Sequence, residues 1–383
     1  MTSVGDPPGE SGCVEATQLV MGSALGGQRG NSCGCGVERT ARGRSRVCRS
    51  GILVGHKPIV PLANLGLVAT GSVQDGAVTD HAASRWLCQD DELRLVARFG
   101  RDLHGWLDRG ARRTAELAER WGVGRLGQPR AGGTSVLVEG RRGSTRVVLK
   151  LTPEPALGQA EGAALRHWEP SPHMVSLLAA DDSDGALLLT RVEPGDTLAQ
   201  TGWALPDVIP VLSDLFRPQR IPDGMFPGVE HRVRFLIQLT RSRMERLPAT
   251  SGVLGIGLDA VQVRAIALAR SYEGAPHLVH GDLHPGNVLR GATDGVVAID
   301  PRACVGDPHF DLADWVLGPA LPRDIDLRGR ADELGRSVPD VDPDRAYAWA
   351  IALAPILAYS VAGDPSAEAQ QKARELAALW QSR

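Results

Sequence analysis

Asp282 and Asn287 lie five residues apart in the stretch His280 to Asp314, which reads HGDLHPGNVLRGATDGVVAIDPRACVGDPHFDLAD. A glycine-bearing turn and a short Val-Val-Ala-Ile strand separate them from Asp300. Two carboxylates and an amide in this arrangement suit phosphoryl transfer from ATP: one carboxylate for the acceptor hydroxyl, the amide and the second carboxylate for metal. Gly, Asp, Asn and Pro also favour plain turns. The chemistry therefore needs partners elsewhere in the chain.

A lysine and a glutamate supply them. Basic residues here are overwhelmingly arginine, and the lysines are Lys57, Lys150 and Lys372. Lys150 ends the run Arg-Val-Val-Leu-Lys, on a strand its apolar neighbours would partly bury, where a compact point charge suits a phosphate. Glu161 follows eleven residues later in a helical segment, Pro155 to Trp168, placed to orient that lysine. Glu154 competes for this role but lies between two prolines, ahead of the helix. Upstream, Gly132-Gly133-Thr134 precedes the strand region, and glycines beside a strand let backbone N–H groups approach phosphates. That signal is weak by itself.

These residues need a scaffold, and 383 residues with 43% hydrophobic content are enough for two or three domains or lobes. A formal net charge of -3 argues against wholesale binding to nucleic acid or a membrane surface. Four of the six cysteines fall in the first fifty residues without paired spacing or nearby histidine, which disfavours zinc. The cysteine-poor remainder reads as reduced and cytoplasmic. No basic start with an apolar core marks a signal peptide. The uncharged stretch Ala346 to Gly363 is alanine-rich and holds Pro355, so a buried helix broken at that proline is expected rather than a membrane span.

Residues 1–80 are rich in Gly, Ser and Arg without periodicity and are expected to be a disordered extension. From Asp90, Leu93, Val96, Phe99, Leu103, Trp106, Leu107, Leu117 and Trp121 form a helical stripe, with a break expected near Gly110. Ser135 to Glu139, Thr145 to Leu151, Val175 to Ala180 and Ala186 to Val192 read as strands of one antiparallel sheet of four or five strands. Arg191 to Gly195 connects to a mainly helical remainder, with helices over Val208 to Phe216, Val233 to Leu247, Leu258 to Tyr272, Ala346 to Ser360 and Ala367 to Trp380. The expected organisation is thus an extension at 1–80, a nucleotide-binding lobe at 90–193 and a helical lobe at 194–383.

The phrases VVLKL, LLLTRVEPG, VHGDLHPGNVL and AIDPRACVGDPHFDLADW, in this order, resemble the aminoglycoside phosphotransferase family, in particular the branch of streptomycin 6-kinases and hydroxyurea phosphotransferases. The resemblance covers residues 90–383 and is most specific in its last two phrases. It implies an α+β, two-lobed protein-kinase-like fold with a small antiparallel-sheet N-lobe and a mainly helical C-lobe, binding ATP and Mg2+ in the cleft. By resemblance Asp282 is the base, Asn287 and Asp300 are the magnesium ligands, and Lys150, held by Glu161, pairs with the α- and β-phosphates. Asp311 would brace the catalytic loop and His280 would anchor it from behind.

The sequence departs from protein kinases at Pro301-Arg302 after Asp300, and no long activation segment separates Asp300 from Asp307. This points to a small-molecule acceptor, with no protein partner required. For an aminoglycoside, acidic walls are wanted, and Asp324, Asp326, Asp332, Glu333, Asp340, Asp342 and Asp344 offer carboxylates. Arg323, Arg328, Arg330, Arg336 and Arg345 interleave with them, so a self-paired surface fits equally. An aminoglycoside and another hydroxylated metabolite both stay open as acceptors. A catalytically silent nucleotide-binding protein is the alternative that every filled catalytic position argues against.

Overall fold

The computed structural model describes residues 86–381 apart from 219, 223, 246–254, 293 and 294. The expected extension at 1–80 and its cysteines lie outside the described residues. Two helices come first, α1 (Gln89–Phe99) and α2 (His104–Arg120). The break falls at Gly100, whose φ of 84° suits glycine, and not near Gly110. Gly110 stays helical for a packing reason: a Cβ there would lie 1.9 Å from the Trp86 ring.

The sheet that follows has strands β1 (Arg130–Ala131), β2 (Val136–Arg142), β3 (Thr145–Leu151), β4 (Leu177–Asp181) and β5 (Ala186–Thr190), with helix α3 (Pro155–His167) between β3 and β4. All neighbours are antiparallel, in the order β1-β2-β3-β5-β4. β4 starts two residues later than the apolar run suggests, because Val175 is drawn into a backbone bond with Ala298.

Alternation along β3 decides what each face does. Val147, Leu149 and Leu151 join Leu95, Phe99, Leu107 and Leu117 in a core beneath α1 and α2. Lys150 lies opposite Leu187 of β5, on the face where Leu187 and Leu189 pack against Ala164 and Leu165 of α3. Both faces are therefore covered, and the lysine is on the helix side.

The remainder is mainly helical: α4 (Leu198–Thr201), α5 (Leu205–Leu215), α6 (Val229–Met244) and α7 (Leu258–Arg270) precede the catalytic stretch. That stretch forms β6 (His277–Val279), β7 (Val288–Arg290), β8 (Val296–Ala298) and β9 (Cys304–Gly306), pairing as β6-β9 and β7-β8. Then come α8 (Ala313–Leu317), α9 (Leu327–Ser337), α10 (Pro343–Val361) and α11 (Ala367–Gln381). Pro355 does not break α10. The helix runs through the core beside α6, α7, α8, α9 and α11, and packing on several sides outweighs the hydrogen bond the proline lacks. Among the described residues no helix is long and apolar enough to cross a membrane.

Candidate active site

Short residues bring the lysine and glutamate together. Gly158 of α3 lies so close to the backbone at Gly185 that a Cβ would sit 1.9 Å from the Gly185 carbonyl oxygen. This close approach presses α3 onto the turn before β5 and sets Glu161 over the helix-side face of β3. Lys150 Nζ donates to Glu161 at 2.7 Å and to Asp300 Oδ1 at 2.7 Å. Lys150 is 7% exposed and Glu161 2%, so the pair is held away from bulk water. Burial by itself would lower the lysine pKa, but the Asp300 and Glu161 carboxylates outweigh it and raise it, keeping the ammonium charged.

The loop after β6 is fixed at every residue. Asp311 is buried and accepts from the backbone N–H of His280 at 2.7 Å and of Gly281 at 2.9 Å. Gly281 has φ 77°, and a Cβ there would lie 2.3 Å from the Arg302 carbonyl oxygen, so the turn admits only glycine. Arg232 of α6 donates to the Gly281 carbonyl at 2.6 Å and to Asp282 Oδ1 at 2.7 Å. The Asn287 amide nitrogen donates to the Asp282 carbonyl at 3.0 Å and to Oδ2 at 3.3 Å. Asp282 and Asn287 thus face one another from two sides of one loop.

Asp300 takes a left-handed φ of 59°, an uncommon conformation outside glycine that turns its carboxylate toward Lys150. Burial pushes its pKa up, but Arg302 and Lys150 together hold the carboxyl well below the usual carboxylate range. Arg302 lies 3.3 Å from Asp300 and reaches across to donate to Thr134 Oγ1 at 2.6 Å. Thr134 is buried at the end of the glycine turn between β1 and β2, and the Gly132 N–H closes that turn on the Ser135 carbonyl at 2.7 Å. Gly132, Gly133 and Thr134 therefore border the same space as Lys150 and Asp300.

His280 is buried and accepts from the Asp282 N–H at 3.3 Å through Nδ1, while Nε2 donates to the Ile299 carbonyl at 3.1 Å. This bonding pattern selects the neutral ring with its proton on Nε2. Trp168, at the end of α3, stacks on the ring with centroids 6.2 Å apart. Burial lowers the His280 pKa to about 4. A base with a depressed folded pKa contributes stability above its unfolded pKa and loses it as pH falls toward the folded one. We expect the fold to lose about 3 kcal/mol between pH 6.5 and pH 4 from this group. Chemical denaturation across that range, compared with His280→Gln, measures it; equal pH slopes in the two proteins would refute the assignment.

Sequence reasoning missed Arg232 and Trp168. Arg232 carries a signal in hindsight, since it sits among Val229, Val233 and Leu236 on the apolar stripe of α6, where an unpaired arginine would be costly. Asp314 and Arg243 also escaped notice. Burial raises the Asp314 pKa, and Arg243 donates to Ser360 at 3.1 Å.

A cavity of about 120 Å³ opens beside Asp282, lined by Leu236, Leu283, Phe310, Leu353, Ile356 and Leu357, with Asp314 and Ser360 at its edge. A larger one of about 320 Å³ lies between α2 and the loop before α3 and includes none of the catalytic candidates. Part of the acidic run is self-paired: Arg323 lies 3.7 Å from Asp324 and Arg328 pairs with Asp332 and Asp344, while Arg323 also meets Glu375 at 3.2 Å and Arg345 meets Asp307 at 2.6 Å outside the run. Asp326 and Asp342 cap α9 and α10.

An antiparallel sheet over a helical lobe, with Lys150, Glu161, Asp282, Asn287 and Asp300 converging between them, defines a protein-kinase-like phosphotransferase acting on an alcohol group. The family model for aminoglycoside/hydroxyurea antibiotic resistance kinases matches residues 120–362, and the chain belongs to that family. It is 32% identical over 253 residues to a hydroxyurea phosphotransferase of Kitasatospora aureofaciens, covering 62% of this chain and 69% of that protein. It is 30% identical over 269 residues to a streptomycin 6-kinase of Streptomyces griseus, covering 66% of this chain and 83% of that protein. In fold it is similar to a choline kinase from Streptococcus pneumoniae, with TM-score 0.50 and 15% identity over 70% of this chain and 97% of the other.

Proposed function

We propose that the chain, with a nucleotide lobe over residues 90–193 and an acceptor lobe over 194–383, transfers the γ-phosphate of ATP to a hydroxyl of a small molecule. One observation carries this: Lys150 bridges Glu161 and Asp300, and Arg302 has Asp300, Glu161 and the Asn287-bonded Asp282 together as its electrostatic neighbours. Lys150, held by Glu161, pairs with the α- and β-phosphates, and the turn of Gly132, Gly133 and Thr134 covers them. Asn287 and Asp300 would hold Mg2+, which when bound neutralises charge on the phosphates. The residues fit a hard cation: the Asn287 nitrogen is engaged on Asp282, leaving its oxygen as the donor, and the Asp300 carboxyl is kept ionised. Asp282 orients the acceptor hydroxyl and takes its proton, since each carboxylate oxygen still has a lone pair beyond those used by Arg232 and Asn287. The reaction is placed in the cytoplasm, where ATP is supplied.

The streptomycin kinase among the relatives supports an aminoglycoside acceptor, and Asp282 and Asp314 are carboxylates such a cation would meet. A second reading, a compact hydroxylated acceptor, is favoured by the narrow apolar cavity and by the partly self-paired acidic run. Measuring ADP release with streptomycin, other aminoglycosides, hydroxyurea and simple alcohols separates them. Acceptor-dependent release is expected. Activity confined to aminoglycosides would sink the compact-acceptor reading, and no release with any acceptor would sink the kinase reading.

A further inference from the structure

Two cationic side chains contact Asp300 and a third has it among its electrostatic neighbours, and the three are not equally provided for. Lys150 is bonded to Glu161 and Asp300, and Arg302 to Thr134 and Asp300. The third is Arg98, on α1, whose electrostatic neighbours are Arg302, Glu154 and Asp300. Its Nε and Nη1 are buried and neither has a hydrogen-bond partner.

The placement of Arg98 follows from how α1 docks. Asp91, Leu95 and Arg98 recur at steps of four and three, so they share one face of the helix. Asp91 accepts from the Ala131 N–H at 2.8 Å, fixing α1 to the strand that enters the glycine turn. Leu95 is buried in the core under the sheet. With those two anchors set, Arg98 sits in the last turn of α1, with Arg302 among its electrostatic neighbours. Its guanidinium carbon lies 4.7 Å from the centre of the Phe99 ring, which supports it from below.

Leaving two buried N–H groups of a guanidinium without acceptors, with a second guanidinium among its neighbours, is unfavourable even though Glu154 and Asp300 offset part of the charge. Burial and the Arg302 charge lower its pKa to about 9, which still leaves it protonated at neutral pH. What this arrangement lacks is an anion with several oxygens, and the planar guanidinium fork matches phosphate oxygens well. We propose that Arg98 is a substrate-binding residue that donates, together with Arg302, to the terminal phosphates of the bound nucleoside triphosphate. The inference rests on the kinase reading above. It also assigns a role to α1, which lies N-terminal to the segment matched by the family model.

The test is calorimetric titration of the full chain with AMP-PNP and with AMP, each with Mg2+, for wild type, Arg98→Met and Arg98→Lys. Methionine keeps an apolar stem on Phe99 and removes the charge; lysine keeps the charge and loses the fork. Arg98→Met is expected to weaken AMP-PNP binding about tenfold or more while leaving AMP unchanged, with Arg98→Lys between. The ligand-free Arg98→Met protein is expected to melt at or above the wild-type temperature, because two buried N–H groups without acceptors are gone. AMP-PNP binding as tight as wild type, an equal loss for AMP, or a melting temperature well below wild type would each overturn the proposal. Wild type that binds neither AMP-PNP nor AMP would overturn the nucleotide reading itself, and this proposal with it.

Discussion

Asp282→Ala is expected to reduce acceptor-dependent turnover by about 10²–10⁴-fold, the range for removing a positioned general base. The dissociation constant for MgATP should stay within about twofold, because Asp282 serves the acceptor side of the cleft. Alanine has a second effect that must be separated. It leaves the Arg232 guanidinium, with a side chain only 10% exposed, without its carboxylate. Asp282→Asn keeps an acceptor oxygen for Arg232 and the shape of the loop, yet cannot take a proton. If the carboxylate is the base, the two variants lose turnover alike and differ in melting temperature. Asp282→Asn with turnover near wild type would remove Asp282 from that role.

Lys150→Met should combine the second largest loss of activity with a large loss of stability. Removing one partner of a buried ion pair costs about 3–5 kcal/mol because the other charge is left uncompensated. Here Glu161, at 2% exposure, would be stranded beside Asp300. Adding Glu161→Leu should recover most of that stability, since apolar replacement of a whole buried pair is often neutral or better. It should recover none of the activity. Equilibrium unfolding and steady-state kinetics on the two single variants and the double variant give both cycles. A Lys150→Met enzyme with wild-type rate and Michaelis constant for ATP would contradict the role given to the lysine.

The sequence was most informative where chemistry is local. Asp282 and Asn287 share one loop with Asp300 ending the next strand, and Glu161 follows Lys150 by eleven positions, so spacing favours proximity within each group, while the meeting of the two groups was implied by the family resemblance. Residues joined only by tertiary packing were harder to read. Arg232 reaches Asp282 from fifty positions away, in a helix with several other arginines, and nothing short of its place on the apolar stripe sets it apart. The helix break was expected near Gly110 instead of at Gly100 for a similar reason. Gly100 ends a helix through its own backbone, whereas Gly110 is small because the Trp86 ring needs the space, and periodicity cannot tell these causes apart. The acidic run was ambiguous until its arginine partners were placed, after which Asp324, Asp332 and Asp344 proved ion-paired and Asp326 and Asp342 helix caps.

The stacking of Trp168 on His280 has a further meaning. Helix α3 carries the glutamate that holds Lys150, and its C-terminal tryptophan rests on the histidine that sets the catalytic loop. Nearby, Val175 and His173 exchange backbone bonds with Ala298 at 3.0 and 2.8 Å, stitching the same segment to the strand before Asp300. Kinases that are switched on and off do so by swinging this helix or refolding the segment after the metal-binding aspartate. Here the helix rests on the loop through Trp168, and only seven positions separate Asp300 from Asp307. On the kinase reading proposed above, this tie between helix and loop predicts turnover without a lag and without an activating modification, which progress curves from the first seconds of reaction would check.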